Sequence, residues 1–319
     1  MKPLLYLAPI QGITESLFRN IFPKYFKGFD LAIAPFIATS HSNKLRGVVA
    51  RELDPKNNYG IKTIPQILSK NAQDFISLAN SLSELGYDVI NWNLGCPFPV
   101  VVKKGKGSGM LPHPDQIDSF LEKVIPDIKS KISVKLRLGL YSSEEILQII
   151  PILNRYPLHE IIIHPRTGKQ MYKGVVDLDA FETCLALSKH SVVYNGDIDS
   201  SSTFQKFSGR FNTVNKWMLG RGALANPFLP EEIQTKTIHT NNEKLEILCN
   251  FHNELFDGYS KILSGPAHLT DKMKEIWSFL GNCFEDSKTI QQKIYRIHTT
   301  QKYKELINQL FNDELKLKK

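Results

Sequence analysis

Eight short apolar runs, separated by helix-length stretches, occupy the first two thirds of the chain. They are Leu4–Ala8, Asp30–Ala34, Thr63–Leu68, Asp88–Asn93, Ile132–Arg137, Glu160–His164, Ser191–Asn195 and Asn215–Leu219. Most are nearly continuous in apolar residues rather than alternating, the pattern of strands buried on both faces. Asn71–Leu85 shows the intervening spacing best. Phe75, Leu78, Ala79, Leu82 and Leu85 share a helical face there, and Gly86 can end the helix. Similar spacing covers Pro114–Lys129, Ser143–Asn154, Leu178–Ser188 and Ser200–Phe207. Strands that alternate with helices pair in parallel through crossovers. Eight such units fit an α/β fold of the (β/α)8 TIM-barrel type, usually ~250 residues long. An open doubly wound sheet is the alternative, but no G-x-G-x-x-G opens a helix after the first strand.

Near Thr235 the pattern stops. No convincing strand follows, and Glu243–Ile262, His268–Leu280, Ser287–His298 and Gln301–Leu310 all carry helical spacing. Leu245, Leu248, Cys249, His252, Leu255 and Phe256 make one apolar face; Met273, Ile276, Trp277 and Leu280 make another. The expected organisation is a barrel over residues 1–235 and a C-terminal all-α helical bundle over 240–319.

At 319 residues the chain is long enough for a large domain with an appendage. No apolar segment reaches the length of a membrane span. The apolar run in Met1–Ile10 is too short for a signal-peptide core. A soluble, cytoplasmic monomer with no membrane partner is therefore expected. Cys96, Cys184, Cys249 and Cys283 are widely scattered. Their spacing offers no metal site and reads as reduced thiols. The net charge of +8 favours an anionic partner, nucleic acid modestly ahead of others. The excess is uneven: Phe98–Leu140 holds eight Lys/Arg against four Asp/Glu, and Lys288–Lys319 eight against three.

In a barrel, chemistry gathers at the C-terminal strand ends. Strand one ends in Ala8 and Pro9 and leads to Gln11 and Gly12. Strand three carries Gln66, strand four Asn93 and then Cys96, and strand five Lys135 and Arg137. Strand six ends in His164 and Arg166, strand seven in Asn195, Gly196 and Asp197, and strand eight in Gly220, Arg221 and Gly222. After the Cys96 turn come Pro97, Pro99 and a basic, glycine-rich loop, Lys103–Gly109. A strand-end cysteine beside a mobile cationic loop is an arrangement a reactive site uses; a packed thiol beside a solvated turn is the plain alternative. An unpaired buried Lys135 is costly, which makes a ligand's negative charge its natural partner. His164 on its own is more often a structural histidine than a catalytic one. Glycine turns after strands seven and eight, with Arg221, occupy the usual phosphate site of such barrels.

Taken together, these residues resemble the tRNA-dihydrouridine synthases. The motifs are Ala8-Pro9 with Gly12, Gln66, Asn93-Leu94-Gly95-Cys96-Pro97, Gly105–Leu111, Val134–Gly139, His164-x-Arg166-Thr167, Asn195-Gly196-Asp197 and Gly220-Arg221-Gly222. They occur in the family's order, and Lys272–Trp277 extends the likeness into the helical part. The resemblance implies reduction of the C5=C6 bond of specific tRNA uridines by FMN, with NADPH as electron donor. It makes residues 1–235 an FMN-binding catalytic domain and residues 240–319 an RNA-binding one. It implies Cys96 as general acid and Asn93, Arg137 and Arg166 on the substrate side. Gln66 and Lys135 would contact the flavin ring, with His164 beside flavin or base. Asn195, Gly196, Gly220 and Arg221 would hold the phosphate, with Ala8, Pro9 and Asp197 around the cofactor. The chain departs from the family pattern at Phe98-Pro99, in its glycine loop and at Pro165. An FMN barrel that reduces a free pyrimidine or enone is the alternative.

Overall fold

The computed structural model describes residues 2–39, 44–235, 237 and 239–318. Met1 and Lys319, the end residues of the two expected domains, lie outside them. Ten strands form one sheet: β1 Leu4–Leu7, β2 Leu31–Ile33, β3 Ile37–Ala38, β4 Thr63–Ile64, β5 Gln66–Leu68, β6 Val89–Leu94, β7 Lys131–Gly139, β8 Glu160–Thr167, β9 Val192–Asn195 and β10 Lys216–Leu219. Every strand pairing in this sheet is parallel. The order is β3-β5-β6-β7-β8-β9-β10-β1-β2-β4.

The two ends of that ladder meet. β2 runs on into β3, and β4 into β5, so each pair is one stave interrupted once. Pro65 makes the second interruption, because proline has no N–H to give the ladder. Its carbonyl still accepts from Asn91 N at 2.8 Å. β4 pairs with β2 and β5 with β3, which joins the second stave to the third along its length. Eight staves result, one for each expected run, and the closure rules out the open sheet.

The inner wall packs Tyr6, Ala8, Ile33, Ile64, Ile162, Val193 and Met218. A larger apolar layer lies between the staves and the surrounding helices. Polar groups inside the barrel answer one another. Asn91 Nδ2 donates to Ser133 Oγ at 2.8 Å and Gln66 Nε2 to Asn91 Oδ1 at 2.7 Å. Near the strand starts, buried Glu160 accepts from Tyr6 Oη and Lys216 Nζ.

Beyond the barrel come helices Asn241–Ile262, Pro266–Leu280, Ser287–Tyr295 and Thr300–Gln309. The first starts two residues earlier than its spacing implies, because Thr240 caps it and Glu243 completes a capping box. The second starts at Pro266, a residue suited to the first helical turn. The apolar face of Asn241–Ile262 lies on the barrel's first helix, Ser16–Tyr25. Phe251 meets Phe18, Phe22 and Phe26 edge-on at ring separations of 5.8, 6.0 and 4.9 Å. The bundle and the barrel's outer wall thus share one core. No helix among the described residues is long and apolar enough to cross a membrane.

One buried chain of hydrogen bonds ties the bundle together. Trp277 Nε1 donates to Tyr303 Oη at 2.9 Å, and Tyr303 Oη lies 2.7 Å from His252 Nε2. Since the Tyr303 oxygen accepts from the indole, its proton points at His252. The imidazole is then neutral, with its Nδ1–H toward Asn253 Oδ1. Burial pushes His252 down to about 4. The unfolded histidine takes a proton near pH 6.5 while the native one does not, so stability is present above that pH and falls toward about 4. The loss reaches about 3 kcal/mol. Denaturation midpoints followed from pH 7 to 4 should show a shallower slope in His252→Gln than in the wild type. Identical slopes would contradict this assignment.

Candidate functional site

At the C-terminal ends of the staves lies a cavity of about 720 Å³. Every residue expected to serve catalysis, substrate or cofactor lines it except Arg166. Closure of the barrel brings them together, since each sits at or just past the end of a stave. Among the described residues no cluster could hold a metal ion.

The Cys96 turn is built by Asn93. Its Oδ1 accepts from Gly95 N at 3.0 Å and Cys96 N at 2.9 Å, while its Nδ2 donates to Gln66 Oε1 at 2.7 Å. Both ends of the amide are therefore engaged in holding the turn. From the other side, Ser108 N and Oγ each donate to Cys96 O at 3.0 Å. The glycine loop is packed against the cysteine rather than freely mobile, and residues Gly107–Met110 are buried. Gly107 has φ +58, and a Cβ there would lie 2.7 Å from Cys96 O. Only glycine tolerates both conditions, so the loop can close over Cys96. The lysines face outward while the glycines go in.

Cys96 is 6 % exposed. Burial pushes its thiol up, against smaller opposing effects of the Phe98 N–H and the charges of Arg137 and Lys135. It is a thiol, not a thiolate, at neutral pH, and so a proton donor rather than a ready nucleophile.

Lys135 points into the same cavity with no hydrogen-bond or ion-pair partner among the described residues. Burial, then the charge of Arg137, lowers it to about 7. Arg137 is held by three carbonyls, of Gly95, Thr167 and Met171, at 3.1, 2.8 and 2.6 Å. His164 is buried, and desolvation followed by the surrounding Arg137 and Lys135 charges holds it well below the usual histidine range. Arg166 Nη1 lies 3.1 Å from its Nε2, and an arginine can only donate. The neutral ring therefore accepts at Nε2 and keeps its proton on Nδ1.

Arg166 stands behind this wall, bound through both nitrogens to Asp197. Asp197 also accepts from Arg221 at 3.3 Å. Arg166 thus acts through His164 and Asp197, which do border the cavity. Asn195 Nδ2 ties stave β9 to Met218 O of β10 at 2.9 Å. Gly196, Gly220 and Gly222 make the adjoining turns; a Cβ on Gly222 would strike Ile198 O at 2.0 Å.

Several parts of the wall were not read from the sequence, among them Pro35 and Phe36 after the second stave. Tyr172 lies between Arg137 and Arg221, with guanidinium-to-ring distances of 5.2 and 4.8 Å. Phe98 stands at the mouth. Glu275, Ser278 and Phe279 enter from helix Pro266–Leu280. That helix is fastened by Lys272, whose Nζ donates to Gly12 O at 2.7 Å and pairs with Glu15 at 3.0 Å. The exposure of Phe98 and Tyr172 has no signature in sequence, and the helical wall depends on how the bundle docks.

Comparison with known proteins places the chain in a family. A family model described as dihydrouridine synthase (Dus) matches residues 6–318. The tRNA-dihydrouridine synthase B of Pasteurella multocida is 28% identical over 271 residues, covering 81% of this chain and 79% of that protein. That of Shewanella oneidensis is 27% identical over 270 residues, covering 82% of each. Among solved structures, a variant of NCR from Zymomonas mobilis has a TM-score of 0.52 over 74% of this chain and 87% of that one. At 14% identity this is a likeness of fold alone.

The raised Cys96 pKa has a direct readout. Site-resolved alkylation across pH 6–10 should show labelling of Cys96 still rising at pH 9, as burial withholds the thiolate. Labelling that is already maximal at pH 7 would contradict it.

Proposed function

The chain belongs to the dihydrouridine synthase family, and on that premise we propose that it reduces the C5=C6 bond of uridine in tRNA with FMN and NADPH. The observation that carries this reading is the pairing, in one cavity, of a protonated thiol at Cys96 with an unpartnered amine at Lys135.

The cavity fits FMN. Its cationic end holds Arg221 beside the glycine turns at Gly196 and Gly220, where backbone approaches a phosphate without side-chain hindrance. Asn195 braces those two staves from inside. Gln66 and Lys135 lie deeper, on the ring side of such a ligand, with Ala8, Pro9 and Asp197 at its border. When bound and reduced by NADPH, FMN supplies the hydride that uracil C6 takes up.

The protein's own groups do the rest. Cys96 gives its proton to C5, which with the hydride balances the reduction. Asn93 keeps the Cys96 turn aimed at the base. Lys135 regains a partner in the negative charge that builds on the reduced ring or the uracil carbonyls. The neutral His164 offers a hydrogen bond without adding another cation. Arg137 borders the base, and Arg166 positions His164 and Asp197.

A base inside folded RNA must be turned out to reach this cavity. Lys103 and Lys104 beside the mouth, and the basic helices after Lys288, suit contact with tRNA phosphates. Residues 1–235 thus serve catalysis and 240–319 serve RNA contact. All walls of the cavity come from one chain, so a monomer suffices, and a tRNA substrate with reduced thiols fits the cytoplasm.

The test is mass spectrometry of tRNA incubated with the yellow holoenzyme and NADPH. A gain of about two daltons on a uridine is expected from the hydride and proton. Cys96→Ala should keep its flavin and lose at least ~100-fold in rate. Full activity in that variant would remove Cys96 from the mechanism. Turnover of free uracil or an enone, with tRNA untouched, would make the protein a small-molecule reductase.

A further inference from the structure

We infer that Phe98 is a stacking platform for the nucleobase next to the target uridine, with Lys104 and Lys106 behind it on the connecting phosphates. The inference rests on the reading of tRNA as substrate, and it concerns a residue at which this chain departs from the family's sequence pattern.

Phe98 follows Cys96 by two residues and lines the cavity, yet it is 46% exposed. A phenylalanine beside an apolar interior normally turns inward. Here the ring stays at the rim, on a backbone that is fixed on both sides. Pro97 and Pro99 flank Phe98, whose own φ and ψ are −61 and 132. Its carbonyl is engaged by Val101 N and Val102 N at 2.9 and 3.0 Å, and it caps the short helix Pro99–Val102. Its N–H faces the Cys96 sulfur. The main chain that carries the ring is thus already ordered, so binding there costs little backbone entropy. Val100, 64% exposed, extends the same apolar rim.

Turning a base out of a helix leaves its neighbour unstacked on one face. That neighbour cannot follow the target into the cavity and lies at the mouth. An aromatic ring there replaces the lost stacking, whichever base is present, because every base has a π face.

Charge selects the occupant. Lys103, the C-cap of this short helix, lies five residues beyond Phe98, about 1.4 helical turns or a rise of ~7.5 Å. Lys104 is exposed, Lys106 partly buried, and neither pairs with an acid among the described residues. Lys70 closes the cluster, its Nζ lying 3.6 Å from where a Cβ on Gly105 would sit. Burial, followed by the charge of Lys104, lowers Lys106, with Lys70 adding to the effect and Asp74 opposing it. The packed loop holds these cations together, and among the described residues Lys104 and Lys106 form no ion pair, although the charge of Asp74 reaches Lys106. An aromatic rim bordered by such a cluster matches a nucleotide, base on the ring and phosphate on the amines.

Steady-state kinetics on tRNA with wild type, Phe98→Ala, Phe98→Leu and Phe98→Trp test it. The Ala and Leu variants should raise KM for tRNA about tenfold, as expected for losing one stacked base, with kcat and flavin absorbance kept. Phe98→Trp should keep the wild-type KM. Its emission should be quenched when tRNA binds, and it is separable from Trp92, Trp217 and Trp277, which are at most 1% exposed. Lys104→Gln with Lys106→Gln should lower the salt slope of tRNA binding by about 1 to 2. tRNA reduction with unchanged KM in Phe98→Ala would overturn the stacking role alone. So would a Phe98→Leu variant equal to wild type, or a loss of kcat and flavin together, which marks a structural role. A wild type that binds flavin but neither binds nor reduces tRNA would overturn the substrate reading and this inference with it.

Discussion

A lysine amine without a partner is the feature on which the rest of the site depends. Lys135 sits on stave β7, facing a cavity, beside Arg137, and both charges act on His164 together with Arg166 and Arg221. Among the described residues Lys135 has no counter-charge, and burial has already lowered it to about 7. A chain that accepts this cost keeps the position for a ligand that brings negative charge. The same surplus explains the neutral His164 and the double engagement of Asp197 by Arg166 and Arg221. The site is a positive mouth that sets these cations beside a desolvated thiol, Cys96.

The fold supplies this by bringing stave ends together from the length of the barrel, then closing one side with a helix from outside it. Lys272 fastens helix Pro266–Leu280 to the loop after β1. The shared aromatic packing of Phe251 with Phe18, Phe22 and Phe26 fixes the bundle on the barrel. The bundle is therefore held in register with the cavity by a packed core. The position of its surface relative to Cys96 is then a property of side-chain packing.

Much of this was legible in the sequence. Staves buried on both faces are continuous apolar runs, so all eight were visible, and their ends marked the cavity residues. What was hidden has physical causes. The breaks within the second and third staves follow from local geometry and from Pro65, which interrupts the ladder without ending the strand. The cationic loop looked mobile because composition does not show direction; Gly107 folds it onto Cys96. Arg166 looked like a cavity residue because it shares a stave end with His164, but its guanidinium is committed to Asp197 behind the wall. Tyr172 and Phe98 became visible only once the turns that hold them were placed. Asn93 has its amide occupied by the Cys96 turn, a role that spacing could not distinguish from contact with substrate.

The central claim is that Lys135 completes its electrostatics with the reduced flavin ring. The most direct test is the two-electron midpoint potential of FMN bound to wild type and to Lys135→Met. Loss of the cation should make the flavin harder to reduce, lowering the potential by roughly 30 mV or more, the equivalent of about 1.4 kcal/mol for two electrons. Equal potentials in the two proteins, or a wild type that takes up no FMN, would contradict the account.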